Sequence, residues 1–327
     1  MEQTLETILY QGLSKRTRLK AGLNRRAKDQ LARWSMGLLT LSASLLVPLM
    51  ALALYLRARP ILAIQPLGEL LWSTAWYPLK GAFGFYPFIV GTLWVTSTAM
   101  IIAIPPSLLT AIYLAEYARP QVRALAKPLI DLLAGIPSVV YGVWGVLTVV
   151  PFIQKSVAPV LDNWLGFIPL FRADNPTGYS VLAGGVVLAV MVFPVIIAVA
   201  EEVIRAAPQG LREASLALGA TRWQTIKYVV IRHTLPGVIA AIVLGFSRAF
   251  GETMAVLMVV GNVAQVPHSI FDAAYPLTAL IANNYGEMMS IPDYDAALLG
   301  AALILLLVVL AFNVVSRLAL LRLVRSE

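Results

Sequence analysis

The chain contains no cysteine, only two histidines among 327 residues, and few charges, at 13%. Disulfides and thiolate metal centres are therefore excluded. The isolated His233 and His268 cannot supply the three or four clustered ligands of a zinc site. A Gly-x-x-x-x-Gly-Lys-Ser/Thr loop is missing too, so the chain has no phosphate-cradling motif with which to hydrolyse ATP. No convincing internal repeat is present, which argues against the inverted-repeat layout of many secondary transporters.

What is abundant is apolar surface. Hydrophobic residues make up 59% of the chain and its mean hydropathy is +0.79, more than a water-soluble domain could bury. The charges cluster between uninterrupted apolar runs, and about 20 such residues cross a bilayer's hydrocarbon core. Six runs are long enough: 34–56, 88–113, 129–153, 179–200, 235–261 and 296–318. The expected fold is all-α, a polytopic membrane protein of six transmembrane helices. The first run exceeds a signal peptide's apolar region and lacks a clear small-residue cleavage site, so it is expected to remain as an anchor.

Six spans divide the connections into two sets. Of the 25 Lys and Arg residues, nineteen fall in the set comprising both termini, 114–128 and 201–234; five fall in the opposite set. The positive-inside rule then places both termini in the cytoplasm. The formal charge of +8 is accounted for by topology and by attraction to anionic lipid headgroups, with no need for nucleic acid. The resulting layout is a basic cytoplasmic segment (1–33), a first helix (34–56), an outer loop (57–87), a five-helix core (88–318) containing the inner loop 201–234, and a cytoplasmic tail (319–327). Asp293 and Asp295 read as solvated charges at a helix start.

Several spans carry bend residues. Pro105 and Pro106 fall within span two, and Pro137 within span three beside Gly135, Gly142 and Gly145. Proline removes a backbone donor and bends a membrane helix; glycine lets helices approach closely. Packing and the lining of a pathway are both open readings for these positions.

The twenty-fifth basic residue is Arg248, inside span five in the stretch SRAFGETMA together with Glu252. On a continuous helix the two would lie on one face, about 6 Å apart, and would pair. A charge at the centre of a membrane costs roughly 2.5–3.5 kcal/mol on insertion scales, so both side chains should face the bundle interior or a wet cavity. A structural ion pair is one reading, and a translocation site is the other.

The inner loop EEVIRAAPQGLREASLALGATRWQTIKYVVIRHTLPG predicts a helix, a glycine corner and a second helix. Pro208 suits a first turn, and Leu211, Ala214, Ser215 and Leu218 recur at helical spacing. Gly219 suits a left-handed cap, and Thr221 with Gln224 suits a capping box. Such a helix could seat in another protein's groove or lie flat on the membrane.

These residues resemble the EAA loop of ATP-binding-cassette importer permeases, in which Glu-Ala-Ala is followed by three residues, Gly, nine residues and Ile-x-Leu-Pro. Glu213, Ala214 and Gly219 match, Ser215 replaces the third small residue, and Val229 and Ile231 hold apolar positions. Arg232 stands where the pattern has proline, with Leu-Pro-Gly following at 235–237. Together with FIVGTLWVTSTAMIIAIPPSLLTAIYLAEYA, LIDLLAGIPSVVYGVWG and SRAFGETMAVLMVVGN, the loop makes residues 88–322 similar to the phosphate-specific permeases, and to their PstC-type more than their PstA-type subunits.

The resemblance implies a type I ABC importer permease of the inner membrane that acts on phosphate. Implied partners are a homologous PstA-like chain, two PstB-like ATPase subunits that use ATP and magnesium, and an extracytoplasmic PstS-like binding protein. No cofactor is expected on this chain itself. Glu213, Ala214, Ser215 and Gly219 would couple to an ATPase subunit. Arg248 would be the transient counter-ion, because guanidinium is always charged and donates two parallel hydrogen bonds to an oxyanion. Glu252 would neutralise Arg248 when the pathway is empty, or would hydrogen-bond to or take a proton from monohydrogen phosphate. Molybdate, tungstate or sulfate permeases are the alternatives within the class, and a secondary anion transporter is the alternative outside it.

Overall fold

The computed structural model describes residues 2–288 and 290–325, with side chains placed for 28–287 and 290–322. Contacts divide the chain into one unit running to Leu56 and another from Arg57 onward. The first is helix alone, part of the long helix Glu2–Ile64. Six helices among the described residues are long and apolar enough to cross a membrane: Lys28–Ile64, Tyr86–Tyr117, Ser138–Leu165, Val181–Arg205, Arg222–Gly251 and Pro292–Arg322, here spans one to six, with inner and outer used as labels for the two sides that the Lys and Arg distribution leads one to expect.

Most boundaries shift by a few residues, and the helix of span one continues to Ile64 where an outer loop was expected from 57. Three further differences have a local reason. Span three begins at Ser138, because Pro137 caps it and separates it from an independent amphipathic helix, Pro120–Gly135, which we call the elbow helix. Pro137 is thus a boundary between helices where a bend within one was expected. Span three then runs past 153 to Leu165 and takes in Lys155 near its outer end. Span five starts at Arg222 and continues through Pro236, so the Leu-Pro-Gly sequence does not end a helix. Pro105 and Pro106 leave span two helical as expected, although each withholds the donor that the carbonyl four residues earlier would receive.

Spans two, four and five form the central layer, and 61% of span four's most apolar window is buried against 17% for span six. Small residues make that closeness feasible. A Cβ on Gly185 would meet Thr98 Cγ2 at 2.6 Å, and one on Gly245 would meet Ile196 Cγ1 at 2.7 Å. The buried core there includes Val95, Ala99, Leu188, Val192, Ile196 and Ala249. At the outer end Trp76 packs edge-on against Phe88 at 4.8 Å and contacts Phe83 and Tyr294. A two-residue hairpin, Trp76–Tyr77 with Ala82–Phe83, is a small β addition to the expected all-α fold. Leucines along span six remain exposed, as a lipid-facing helix requires.

Candidate functional site

Two places collect the polar groups singled out in the sequence. The first is the outer end of span five. Its helix stops at Gly251, where Glu252 turns extended (φ −74°, ψ 128°), and a short helix, Met254–Val259, starts afresh. The four last carbonyls of a helix lack intrahelical donors. Here the Thr278 hydroxyl donates to the carbonyl of Glu252 at 3.1 Å, so the break is held from outside. The Glu252 carboxylate caps the new helix by accepting from Ala255 N at 3.4 Å. Across the gap, Thr92 of span two accepts from Leu277 N at 2.9 Å and donates to Phe88 O at 2.7 Å. Glu252, Thr92, Thr96 and Thr278 line a cleft of about 10 Å³ walled by Val95, Leu188, Phe250 and Val256. That is room for about one water molecule.

The break overturns the pairing expected of Arg248 and Glu252. The four-residue spacing places two side chains together only on an unbroken helix, and the extended backbone at 252 turns Glu252 into the interior cleft. Arg248 lies on the exposed side of span five, within electrostatic range of the Tyr141 phenol of span three. Neither charge forms an ion pair among the described residues. Tyr141 in turn donates to Leu133 O at 2.8 Å, tying span three to the elbow helix. Ser247 donates to Asn313 Oδ1 at 3.1 Å, which joins span five to span six.

The second place is the inner loop. A helix spans Gln209–Ala217 with Pro208 at its N-cap, one residue earlier than the first-turn position expected for it. Gly219 has φ +86°, where a side chain would be strained, and it turns the chain as its cap position predicts. The Thr221–Gln224 capping box is present in both directions and opens span five. No residue of the loop helix is buried. Glu213 and Ala214 are exposed, as are Leu216 and Leu218, the last at 90%. Ser215 faces inward, its hydroxyl 2.9 Å from that of Thr225.

Arg212, the neighbour of Glu213, points into the protein. It donates to both carboxylate oxygens of Glu116 at the inner end of span two, at 2.7 and 3.1 Å to Oε1 and 3.3 Å to Oε2. It also donates to the carbonyls of Ile204 and Ala207 at the end of span four. Arg222 donates to the Glu116 carbonyl and stacks on Tyr117 with 4.8 Å to the ring centroid. Arg123 of the elbow helix donates to the carbonyls of Leu114 and Ala115 and lies 3.8 Å from the buried Glu201. Sequence reading missed Glu116, Arg123 and Glu201 as site members. The available signal was an acidic residue at each inner helix end, next to loops otherwise rich in arginine.

An importer's membrane chain is the class that this arrangement defines: bundled spans, an interrupted helix beside a polar cleft, and an inner helix displayed at a glycine corner. The family described as "Binding-protein-dependent transport system inner membrane component" matches residues 107–326. A phosphate transport system permease protein PstC of Pasteurella multocida is 37% identical over 79% of this chain and 81% of its own length. A PstC protein of Xylella fastidiosa is 38% identical over 85% of this chain and 86% of its own length. Among solved structures, a chain of the MetNI methionine ABC transporter in an inward-facing conformation aligns with a TM-score of 0.52, covering 71% of this chain and 93% of its own. At 20% identity that likeness speaks to the fold alone. The chain therefore belongs to the binding-protein-dependent permease family and, within it, to the PstC group, and it is a multi-pass membrane protein.

Proposed function

We propose that this chain is the PstC-type permease subunit of an ATP-driven importer of inorganic phosphate. Arg248 is the pathway residue, and the observation that supports this is its exposed guanidinium, which has no carboxylate partner among the described residues although it lies in a membrane span. Anchoring a charge there is costly, and leaving it unpaired is costlier still unless something visits it. An oxyanion shedding water is such a visitor, and a planar fork of donors suits two of its oxygens. Glu252 acts from the cleft behind the break. It sets the backbone after Arg248, and its carboxylate lies in the same polar region as the Thr92, Thr96 and Thr278 hydroxyls.

Energy comes from outside this chain. A homologous PstA-like chain completes the pathway, a PstS-like protein delivers phosphate, and two PstB-like subunits hydrolyse ATP with magnesium. Glu213, Ala214 and Gly219 belong to the docking element for one of these ATPase subunits, Ser215 braces it from within through Thr225, and the exposed Leu216 and Leu218 supply apolar surface for its groove. Both termini lie in the cytoplasm, on the side where Lys and Arg dominate the loops.

The test is labelled-phosphate uptake into proteoliposomes that contain the assembled complex, with ATP hydrolysis followed in the same samples. Wild type should take up phosphate on ATP addition, and Arg248→Gln should lose uptake while still assembling. Unlabelled molybdate, tungstate and sulfate should compete poorly. Strong competition by any of them would move the substrate assignment to that oxyanion.

A further inference from the structure

Three arginines from three helices converge on one turn of backbone. Arg212 of the loop helix, Arg222 at the start of span five and Arg123 of the elbow helix all donate to groups within residues 114–116 at the inner end of span two. That turn is a π-helical segment, Tyr113–Tyr117, closed by Ala118 N donating to Tyr113 O. Cations are expected near a helix C-terminus, where carbonyls are unsatisfied. Three of them with one buried carboxylate exceed what capping requires. The Arg212–Glu116 pair is largely enclosed, with side chains 20% and 8% exposed. Enclosed ion pairs contribute little net stability over an apolar replacement, but losing one partner is costly and their geometry is exacting. What such a pair supplies here is position.

We infer that the Glu116–Arg212 pair, braced by Arg222, locks the loop helix to span two, so that displacement of the loop helix is delivered to span two as a rigid movement. This rests on the permease reading above. Glu116 and Arg212 are positioning residues that touch no substrate. Their partner elements explain the consequence. Arg212 also donates to the carbonyl of Ile204 in the last turn of span four and to that of Ala207 just beyond it, so one guanidinium joins the loop helix to two spans at once. Span two carries Thr92 at its other end, which fixes Leu277 beside the Glu252 break. At 1.5 Å per residue, the 24 positions from Thr92 to Glu116 cover about 36 Å of helix. A pull at the inner loop therefore arrives at the cleft through a rod that is held at both ends.

The absence of cysteine permits a direct test. Spin labels on Tyr113→Cys and Gly210→Cys report the separation of the span-two end and the loop helix in the full complex. A Cβ at Gly210 meets nothing within 4 Å, and Tyr113 is exposed. The separation should be the same in the nucleotide-free and vanadate-trapped complexes, and it should broaden when Glu116→Gln is added. Uptake per ATP hydrolysed should fall about tenfold in Glu116→Gln and in Arg212→Gln, with assembly retained. Arg212→Lys keeps a charged donor beside Glu116 and should recover part of the loss seen in Arg212→Gln, which a merely disrupted fold would not. A wild-type separation that changes between the two states overturns the inference, as does a Glu116→Gln complex with normal uptake per ATP. If wild type fails to take up phosphate, the substrate reading fails, and the label distances alone still decide whether the lock exists.

Discussion

Arg212 and Arg248 are the same side chain in the same chain, yet their surroundings are opposite. Arg212 has both oxygens of Glu116 and two backbone carbonyls as acceptors and is mostly enclosed. Arg248 is exposed on span five, unpaired among the described carboxylates, and the nearby acid has turned away into another cleft. Guanidinium offers five donors, and a folded protein that could satisfy them with its own acceptors usually does so. Full satisfaction marks a joint that holds, and an open fork marks a place where an acceptor arrives from elsewhere. On the proposed reading, the joint at the loop helix transmits, and Arg248 in the last turn of span five receives.

The strongest way to break the comparison is to remove the open fork. Arg248→Gln keeps a donor but loses the charge and the bidentate geometry, and uptake by the assembled complex should fall about 100-fold, the scale of a lost charged hydrogen bond. Arg248→Lys keeps the charge as a point and should lose roughly tenfold. If lysine matched glutamine, geometry would matter more than charge. If both were normal, Arg248 would be no more than a surface residue.

A second experiment converts one arginine's situation into the other's. Leu244 lies four residues before Arg248 on the same helix and is 47% exposed. Leu244→Glu would give Arg248 an adjacent carboxylate at the favourable spacing. A paired fork is a poorer receiver, so uptake should fall about tenfold while Leu244→Gln stays near wild type. Equal losses in the two variants would point to packing, and the contrast between satisfied and open arginines would lose its force.

The sequence carried much of this pattern and lost a definite part of it. Hydropathy located six spans because a bilayer imposes length and apolarity on each of them separately. The loop helix, Gly219 and the Thr221 capping box were legible because capping is local chemistry, decided within four or five residues. The Arg248–Glu252 pairing was misread because the helix ends at Gly251, and the contact that holds the break is remote: the hydroxyl of Thr278, 26 positions onward from Glu252, donates to the Glu252 carbonyl. Glu116 was passed over for the same reason, since Arg212 lies 96 positions away and only the fold brings them together. Span three's start was misplaced because the amphipathic elbow helix ends in the largely apolar residues from Leu129 on, which read as one run with the span until Pro137 divides them.

Glycines sharpen the contrast at lower cost. Near the break in span five, a Cβ on Gly145 would meet Val187 Cγ2 and Val259 Cγ1 at 2.7 Å each, and Val259 closes the short helix that follows Glu252. Gly145→Ala must push that helix or span four aside, at about 1–3 kcal/mol of overpacking. The midpoint of thermal unfolding in detergent should drop, and uptake should fall with it. At the transmitting end, Gly219 has open space around its Cβ position, so Gly219→Ala meets only the backbone strain of φ +86°, about 1 kcal/mol. A larger shift in the midpoint for Gly219 than for Gly145 would show that the loop, rather than the packed middle, limits the fold.

The smallest effect expected is at Thr221. Its hydroxyl accepts from Gln224 N at 3.3 Å, and Gln224 Oε1 accepts in return from Thr221 N at 2.8 Å. Thr221→Ala should cost about 1 kcal/mol and fray the start of span five. Arg222, the next residue, still donates to the Glu116 carbonyl and still stacks on Tyr117, so the joint has a second hold on the same turn. Uptake per ATP should therefore change less than about twofold, even where hydrogen exchange at 222–225 rises. A loss in Thr221→Ala as large as that of Glu116→Gln would mean that the cap, and not the arginines, fixes the loop to span two. The transmitting end would then owe its rigidity to local helix chemistry alone.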